Sequence, residues 1–195
     1  MTRTFIALEM NEAVQRHLTE VIGRMALILP SVRWVNPNAI HLTLAFLDEL
    51  DDVQVAEAIQ AALATARQNH LFSYTLSRLG IFGIPRQPRV IWMGIEEPTG
   101  ALSRLHRLLD QELVQRGFKL DKKPFSPHLT LARIKSPLSP SERQQLQNVL
   151  GSAQQSFVSS QIYPVTSIQV VKSELSNTGA HYTALQVCSF GESQI

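Results

Sequence analysis

Apolar residues recur along this chain with two periods, and the switches between them outline its elements. From Asn11 to Ile28, Val14, Leu18, Val21, Met25 and Ile28 step by three or four, which predicts a helix with one buried face. Asn11 stands as its N-cap with Glu12 in the first turn, and Pro30-Ser31 close it. Before it, RTFIALEM reads as a strand. After it, VRWV predicts a short strand, Asn36-Pro37-Asn38 a turn, and IHLTLAFL a longer strand. Asp51 and Asp52 open a second helix whose predicted buried face is Ala56, Ile59, Leu63 and Ala66.

The runs FSYTLSRLGIFG and RVIWMGIE, separated by Ile84-Pro85-Arg86-Gln87-Pro88, predict a hairpin. A third helix, from about Thr99 to Arg116, buries Leu102, Leu105, Leu109 and Leu113 and stops at Gly117. HLTLARI is the next strand. Pro137 and Pro140 mark a boundary, and Ser139 or Ser141 caps a helix over SERQQLQNVL that ends at Gly151. FVSSQIYPV, TSIQVVKSEL and HYTALQVCSF finish the chain as strands, the last two turning at Asn177-Thr178-Gly179. Strands that adjoin without helices between them favour antiparallel pairing, so the class expected is α+β.

HLTLA stands at residues 41–45 and again at 128–132, 87 positions later. Identity at that distance marks a repeated structural unit, and a helix flanked by strands precedes each copy, so two similar lobes in one body are expected. Side chains alternate across a strand. His41 and Thr43 therefore share one face, with Leu42, Leu44 and Phe46 on the other, against the helices. The second copy repeats this with His128 and Thr130 against Leu129 and Leu131. If the polar faces meet, two imidazoles and two hydroxyls line one cleft.

That set suits phosphodiester chemistry. Imidazole titrates near neutrality, so one ring can act as base and the other as acid, while threonine hydroxyls donate to phosphate oxygens. No metal is expected, because the chain has neither H-E-x-x-H nor H-x-H and threonine is a poor metal ligand. His17, His70, His106 and His181 lack the repeated context and read as surface or locally bonded residues, His181 lying near a hairpin that could form the cleft.

Composition changes the picture at two points. Residues 78–135 hold eleven Lys and Arg against five acids, in a chain whose net charge is only +2, a concentration suited to a polyanion as well as to a solvated face. A lone Cys188, in the strand ALQVCSF, excludes an internal disulfide framework and fits a reducing cytoplasm as a buried thiol. The apolar run in MTRTFIALEM is too brief for a signal-peptide core, and no stretch reaches the roughly 18 apolar residues of a membrane span.

With these motifs in place, the chain resembles the RNA 2′,3′-cyclic phosphodiesterases, long called 2′-5′ RNA ligases, of the 2H phosphoesterase superfamily. That superfamily is defined by two His-x-Thr/Ser-x motifs, matched here by His41-Leu42-Thr43-Leu44 and His128-Leu129-Thr130-Leu131. RTFIALE, VRWVNPNAIHLTLAFLDEL, LGIFGIPRQPRVIWMGI, KPFSPHLTLARI and SELSNTGAHYTALQ are similar too, so the likeness spans roughly residues 3 to 190.

The resemblance implies one bilobal α+β domain over residues 1–195, with two pseudo-symmetric lobes of antiparallel sheet, helices outside and a central cleft. It implies hydrolysis of a ribose 2′,3′-cyclic phosphate to a 2′-phosphomonoester without metal, ATP or other cofactor, and 2′-5′ ligation in reverse. His41 would be the proton donor and His128 the proton acceptor, although on the residues alone the two motifs are interchangeable. Thr43 and Thr130 would hold phosphate oxygens. Arg133 also matches the family pattern as a binding residue, yet strict alternation aims it away from His128 and Thr130, and only a bulge or twist would bring it round. Arg86, Arg89, Lys122 and Lys123 are candidates for RNA backbone contacts.

The expected partner is RNA with a cyclic phosphate end, or a cyclic nucleotide, met by a cytoplasmic monomer with no membrane attachment. A related enzyme acting on 2′-5′ oligonucleotides or another small cyclic phosphodiester, and a non-catalytic RNA-binding module, remain the alternatives.

Overall fold

Two copies of one local plan carry the motifs. In the computed structural model, which describes residues 1–120, 123–151, 157–176 and 179–191, β1 (Thr2–Glu9) runs into α1 (Glu12–Ile28) and returns antiparallel as β2 (His41–Leu50). Later β4 (Gln87–Glu96) runs into α3 (Ala101–Gln115) and returns as β5 (His128–Arg133). The remaining elements are α2 (Asp52–Arg67), β3 (Phe72–Ile84), α4 (Pro140–Leu150), β6 (Tyr163–Val165), β7 (Ser167–Ser176) and β8 (Gly179–Ser189). Residues 177 and 178 of the expected Asn177-Thr178-Gly179 turn lie outside the described residues.

The lobes are not the two halves of the sequence. One sheet has the order β2-β1-β7-β8 and the other β5-β4-β3-β6, all pairs antiparallel. Each half thus lends later strands to the sheet that holds the other half's motif: β3 lies beside β4, and β7 lies beside β1. Between β6 in one sheet and β7 in the other stands a single residue, Thr166. Helix α2 packs across β1, β2, β7 and β8 with α3 beside it, while α1 lies against α4. One continuous apolar core joins both sheets to the helices, and a small separate cluster of Phe5, Ala7 and Val171 sits on the other face of the first sheet.

Three expectations are corrected. VRWV is not a strand: within it only Trp34 makes an isolated bridge, to Ala132 of β5. FVSSQIYPV pairs only over Tyr163–Val165. In α2 the buried stripe is Ala58, Ala61, Ala62, Thr65 and Ala66, with Ala56 exposed and Ile59 and Leu63 half-buried. Small side chains let this helix sit close to the sheet, and the larger ones straddle the contact line.

Capping follows the sequence closely. Asn11 accepts from the Val14 N–H, Asp51 forms a capping box with Gln54, and Ser139, rather than Ser141, caps α4. Gly117 ends α3 at φ +86°, a backbone region that glycine enters without strain. Among the described residues no helix is long and apolar enough to cross a membrane.

At the start of α4, the buried Glu142 carboxylate accepts from the Ser139 N–H at 3.0 Å and hydroxyl at 2.8 Å, and its other oxygen accepts from the Ser31 N–H at 3.1 Å. One carboxylate thereby ties the segment after α1 to the head of α4. Hydrogen bonds from Ser31 and then from Ser139 hold its pKa down to about 2, from a usual 4.5. The stability this contributes is fully present above about pH 4.5 and is lost as pH falls toward 2. Glu142→Gln should therefore cost about 1.5–3 kcal/mol at pH 7, the range for hydrogen bonds to a charged group, and much less at pH 3. Urea unfolding at the two pH values measures the difference; an equal loss at both would refute the tie.

Candidate active site

The motif strands sit at equivalent edges of their sheets, and both break register at the same place. In β2, His41 pairs with Glu9 and Thr43 with Ala7, but the next pairs are Ala45 with Ile6 and Phe46 with Phe5, leaving Leu44 unmatched. In β5, His128 pairs with Gly94 and Thr130 with Trp92, then Ala132 with Ile91 and Arg133 with Val90, leaving Leu131 unmatched. Each HLTLA string therefore contains a bulge at its fourth residue. Its leucine and alanine both turn into the core, and the sixth residue returns to the histidine face.

This corrects the expectation for Phe46, which is 51% exposed and lines the cleft instead of packing on the helices. It also brings Arg133 to the face of His128 and Thr130.

Both bulges are tied from elsewhere in the chain. The Val35 N–H, just ahead of the first motif, donates to the Leu131 carbonyl at 2.8 Å. The His106 imidazole on α3 hydrogen-bonds the Leu44 backbone, faces Asp110 at 3.5 Å, and stacks on Phe125 with centroids 3.9 Å apart. His106 is thus locally bonded, as expected, but its reach to the motif strand went unread. His17 Nε2 contacts the Phe157 carbonyl at 3.1 Å, and His181 lies on the face of β8 opposite Tyr182.

A cleft of about 500 Å³ separates the sheets, and His41, Thr43, His128, Thr130 and Arg133 all line it. Four residues that sequence reasoning missed share it: Arg3, Phe5, Phe46 and Tyr182. The Arg3 guanidinium lies 5.1 Å from the Phe46 ring centroid. The signal for Tyr182 was present in HYTALQ, since alternation from the hairpin turn assigns it a face. For Phe5 there was none, because β1 is apolar on both faces.

The two imidazoles are held alike and housed differently. His41 Nδ1 lies 3.0 Å from the Ala39 carbonyl, and His128 Nδ1 lies 2.6 Å from the Ser126 carbonyl. A carbonyl only accepts, so each Nδ1 carries a proton and each Nε2 keeps its lone pair while the ring is neutral. His41 stacks on Phe5 at 4.5 Å and meets the edge of Tyr182 at 5.0 Å. His128 meets the edge of Phe82 at 4.8 Å, with Trp92 at 6.3 Å. Burial lowers the His41 pKa; the Ala39 bond opposes that, and the Arg133 charge lowers it further.

Other groups lie apart from this cleft. Arg86 stands at the exposed tip of the β3–β4 hairpin, Lys123 is exposed ahead of the second motif, and Lys122 lies outside the described residues. Cys188 is buried, which pushes its thiol pKa up to about 11 and makes it a poor nucleophile. Among the described residues no three His, Cys, Asp or Glu side chains gather in a metal-binding arrangement.

Known proteins match over nearly the whole chain. Residues 30–177 match the family model described as the 2′-5′ RNA ligase superfamily. The RNA 2′,3′-cyclic phosphodiesterase of Methanothermobacter thermautotrophicus is 30% identical over 185 residues, 95% of this chain and 97% of that protein. The protein of the same name from Thermotoga maritima is 36% identical over 133 residues, 68% and 70% of the respective chains. Among solved structures, TT0787 of Thermus thermophilus superposes with a TM-score of 0.82 at 26% identity, covering 98% of this chain and all of that one. Escherichia coli LigT complexed with 3′-AMP shares the fold, with a TM-score of 0.72 at 22% identity and coverage of 97% and 98%.

The geometry predicts how the His41 ring titrates. A nearby cation disfavours imidazolium, so Arg133→Met should raise the His41 pKa toward its ordinary 6.5. Added salt should raise it in the wild type and do less in the variant. NMR titration of the His41 ring reads both effects; a downward shift, or none, would contradict the placement of Arg133.

Proposed function

The chain belongs to the 2′-5′ RNA ligase superfamily, and on that premise we propose that it hydrolyses RNA or nucleotide 2′,3′-cyclic phosphates to 2′-phosphomonoesters. The observation that carries the reading is the matched pair of Nδ1-tethered histidines, each with a threonine, lining one cleft.

His128 Nε2 takes a proton from water as the water oxygen bonds to phosphorus. His41 Nε2 gives a proton to the departing 3′-oxygen as the P–O3′ bond breaks. The phosphate stays on the 2′-oxygen, and the two imidazoles finish with their protonation states exchanged. Thr43 and Thr130 donate to the non-bridging oxygens, and Arg133 offsets the charge that builds there. No metal is needed, because both proton transfers are supplied by imidazole. With an RNA 5′-hydroxyl in place of water, the same sequence forms a 2′-5′ linkage: His128 takes the hydroxyl proton, the 5′-oxygen bonds to phosphorus, and the P–O3′ bond breaks as His41 protonates the 3′-oxygen.

His41 must be protonated to act as the acid, whereas burial and Arg133 favour its neutral form in the empty cleft. A phosphodiester anion between the sheets supplies the opposing charge. Binding of substrate and of that proton are then coupled. A cytoplasmic setting suits the single buried thiol.

Purified protein given an oligonucleotide with a cyclic phosphate end, in EDTA, should yield a 2′-phosphate. His41→Ala and His128→Ala should each lose about 10²–10⁴ in rate, the usual share of a general acid or base. A 3′-phosphate product, or full activity in both variants, would overturn the reading.

A further inference from the structure

The two bulges are braced by different means. Leu131 of β5 accepts from the Val35 backbone, so that tie belongs to the chain itself. Leu44 of β2, left without a register partner, is met by a side chain, His106 of α3. Burial lowers the pKa of that ring, while the Asp110 charge and the bond to Leu44 raise it. A bond that favours the protonated ring is one the ring donates, so the Leu44 carbonyl accepts. Asp110, one helical turn on, faces the ring's Nδ1 at 3.5 Å and restrains its rotation.

The same ring also reaches the second motif. Helix α3 leaves β4 of the second sheet and packs against β2 of the first. There His106 stacks on Phe125, with centroids 3.9 Å apart and planes inclined by 21°. Phe125 is followed by Ser126, whose carbonyl holds His128 Nδ1 at 2.6 Å. One imidazole thus touches the residue after Thr43 and the residue before the anchor of His128. Leucine would fill the same space against Phe125, but it could not satisfy a carbonyl, so packing alone does not account for a histidine here.

Spacing matters because His41 and His128 stand on separate sheets and must serve one phosphate. Misplacement by about 1 Å can cost such a reaction about 100-fold. Attraction of a charged phosphate is more tolerant, since it falls only with the inverse of distance.

We propose that His106 is a positioning residue: its single ring clamps the bulge of β2 to the approach of β5 and so sets the spacing of His41 from His128. The inference rests on the phosphodiesterase reading above, and its first readout needs no turnover.

That readout is the His41 ring in substrate-free protein, followed by NMR titration. Burial lowers its pKa and the Arg133 charge across the cleft lowers it further, and both depend on how the sheets are spaced. His106→Leu keeps the helix and the apolar packing but loses the bond. It should raise the His41 pKa toward 6.5, and Arg133→Met should then add less than it does in the wild type. The second readout is kinetic: kcat should fall about 10- to 100-fold, with KM within about threefold. His106→Gln, which can still donate, should recover part of both. Phe125→Leu, which leaves α3 and its bond intact, should move both readouts the same way. An unmoved His41 ring or an unchanged kcat, in whichever leucine variant folds, would overturn the role, and so would a kinetic loss carried by KM alone. A wild type that turns over no cyclic phosphate sinks the phosphodiesterase reading and leaves the ring titration to decide this one.

Discussion

A β-strand keeps one face toward its core only while its pairing stays regular, and both motif strands give up that regularity at the same residue. The unmatched Leu44 and Leu131 turn two consecutive apolar side chains inward, then let the chain show its histidine face again at Phe46 and Arg133. The pseudo-symmetry of the cleft ends there. Identical backbones deliver a ring on one side and a guanidinium on the other, and that guanidinium helps set the charge state of the opposite lobe's His41. A bulge leaves backbone groups to be satisfied, and the reciprocal ties from Val35 and His106 make each motif depend on a segment outside its own strand pair.

Much of this was legible locally. The capping residues Asn11, Asp51 and Ser139, the leucine stripe of α3 and the two His-x-Thr faces all follow from spacing within a few residues. The bulges were not legible, because an extra residue is defined only against a partner strand that the sequence does not name. Arg133 shows the point: alternation aimed it away from the cleft, and one unmatched residue reversed it. The stripe of α2 failed for a different reason. Leu63 and Ile59 outrank alanine in hydrophobicity, but close approach to a sheet selects for small volume.

The housing of the histidines needed the whole fold. Phe5 and Tyr182 come from opposite ends of the chain to pack around His41, a contact no periodicity encodes. The result is two rings with the same tautomer and unequal surroundings.

The exchange of strands between the halves also bears on when the site can exist. Thr4 of β1 takes its partner at Lys172, so the first sheet has only two of its four strands until β7 and β8 have been made. On a ribosome, the first motif would emerge early and wait with one side of β1 unpaired, while the second half was still being synthesised. Such long-range closure is slow compared with local pairing. It also means that a truncated product has no complete cleft wall. The architecture leaves the cleft unfinished until β7 and β8 have joined the first sheet.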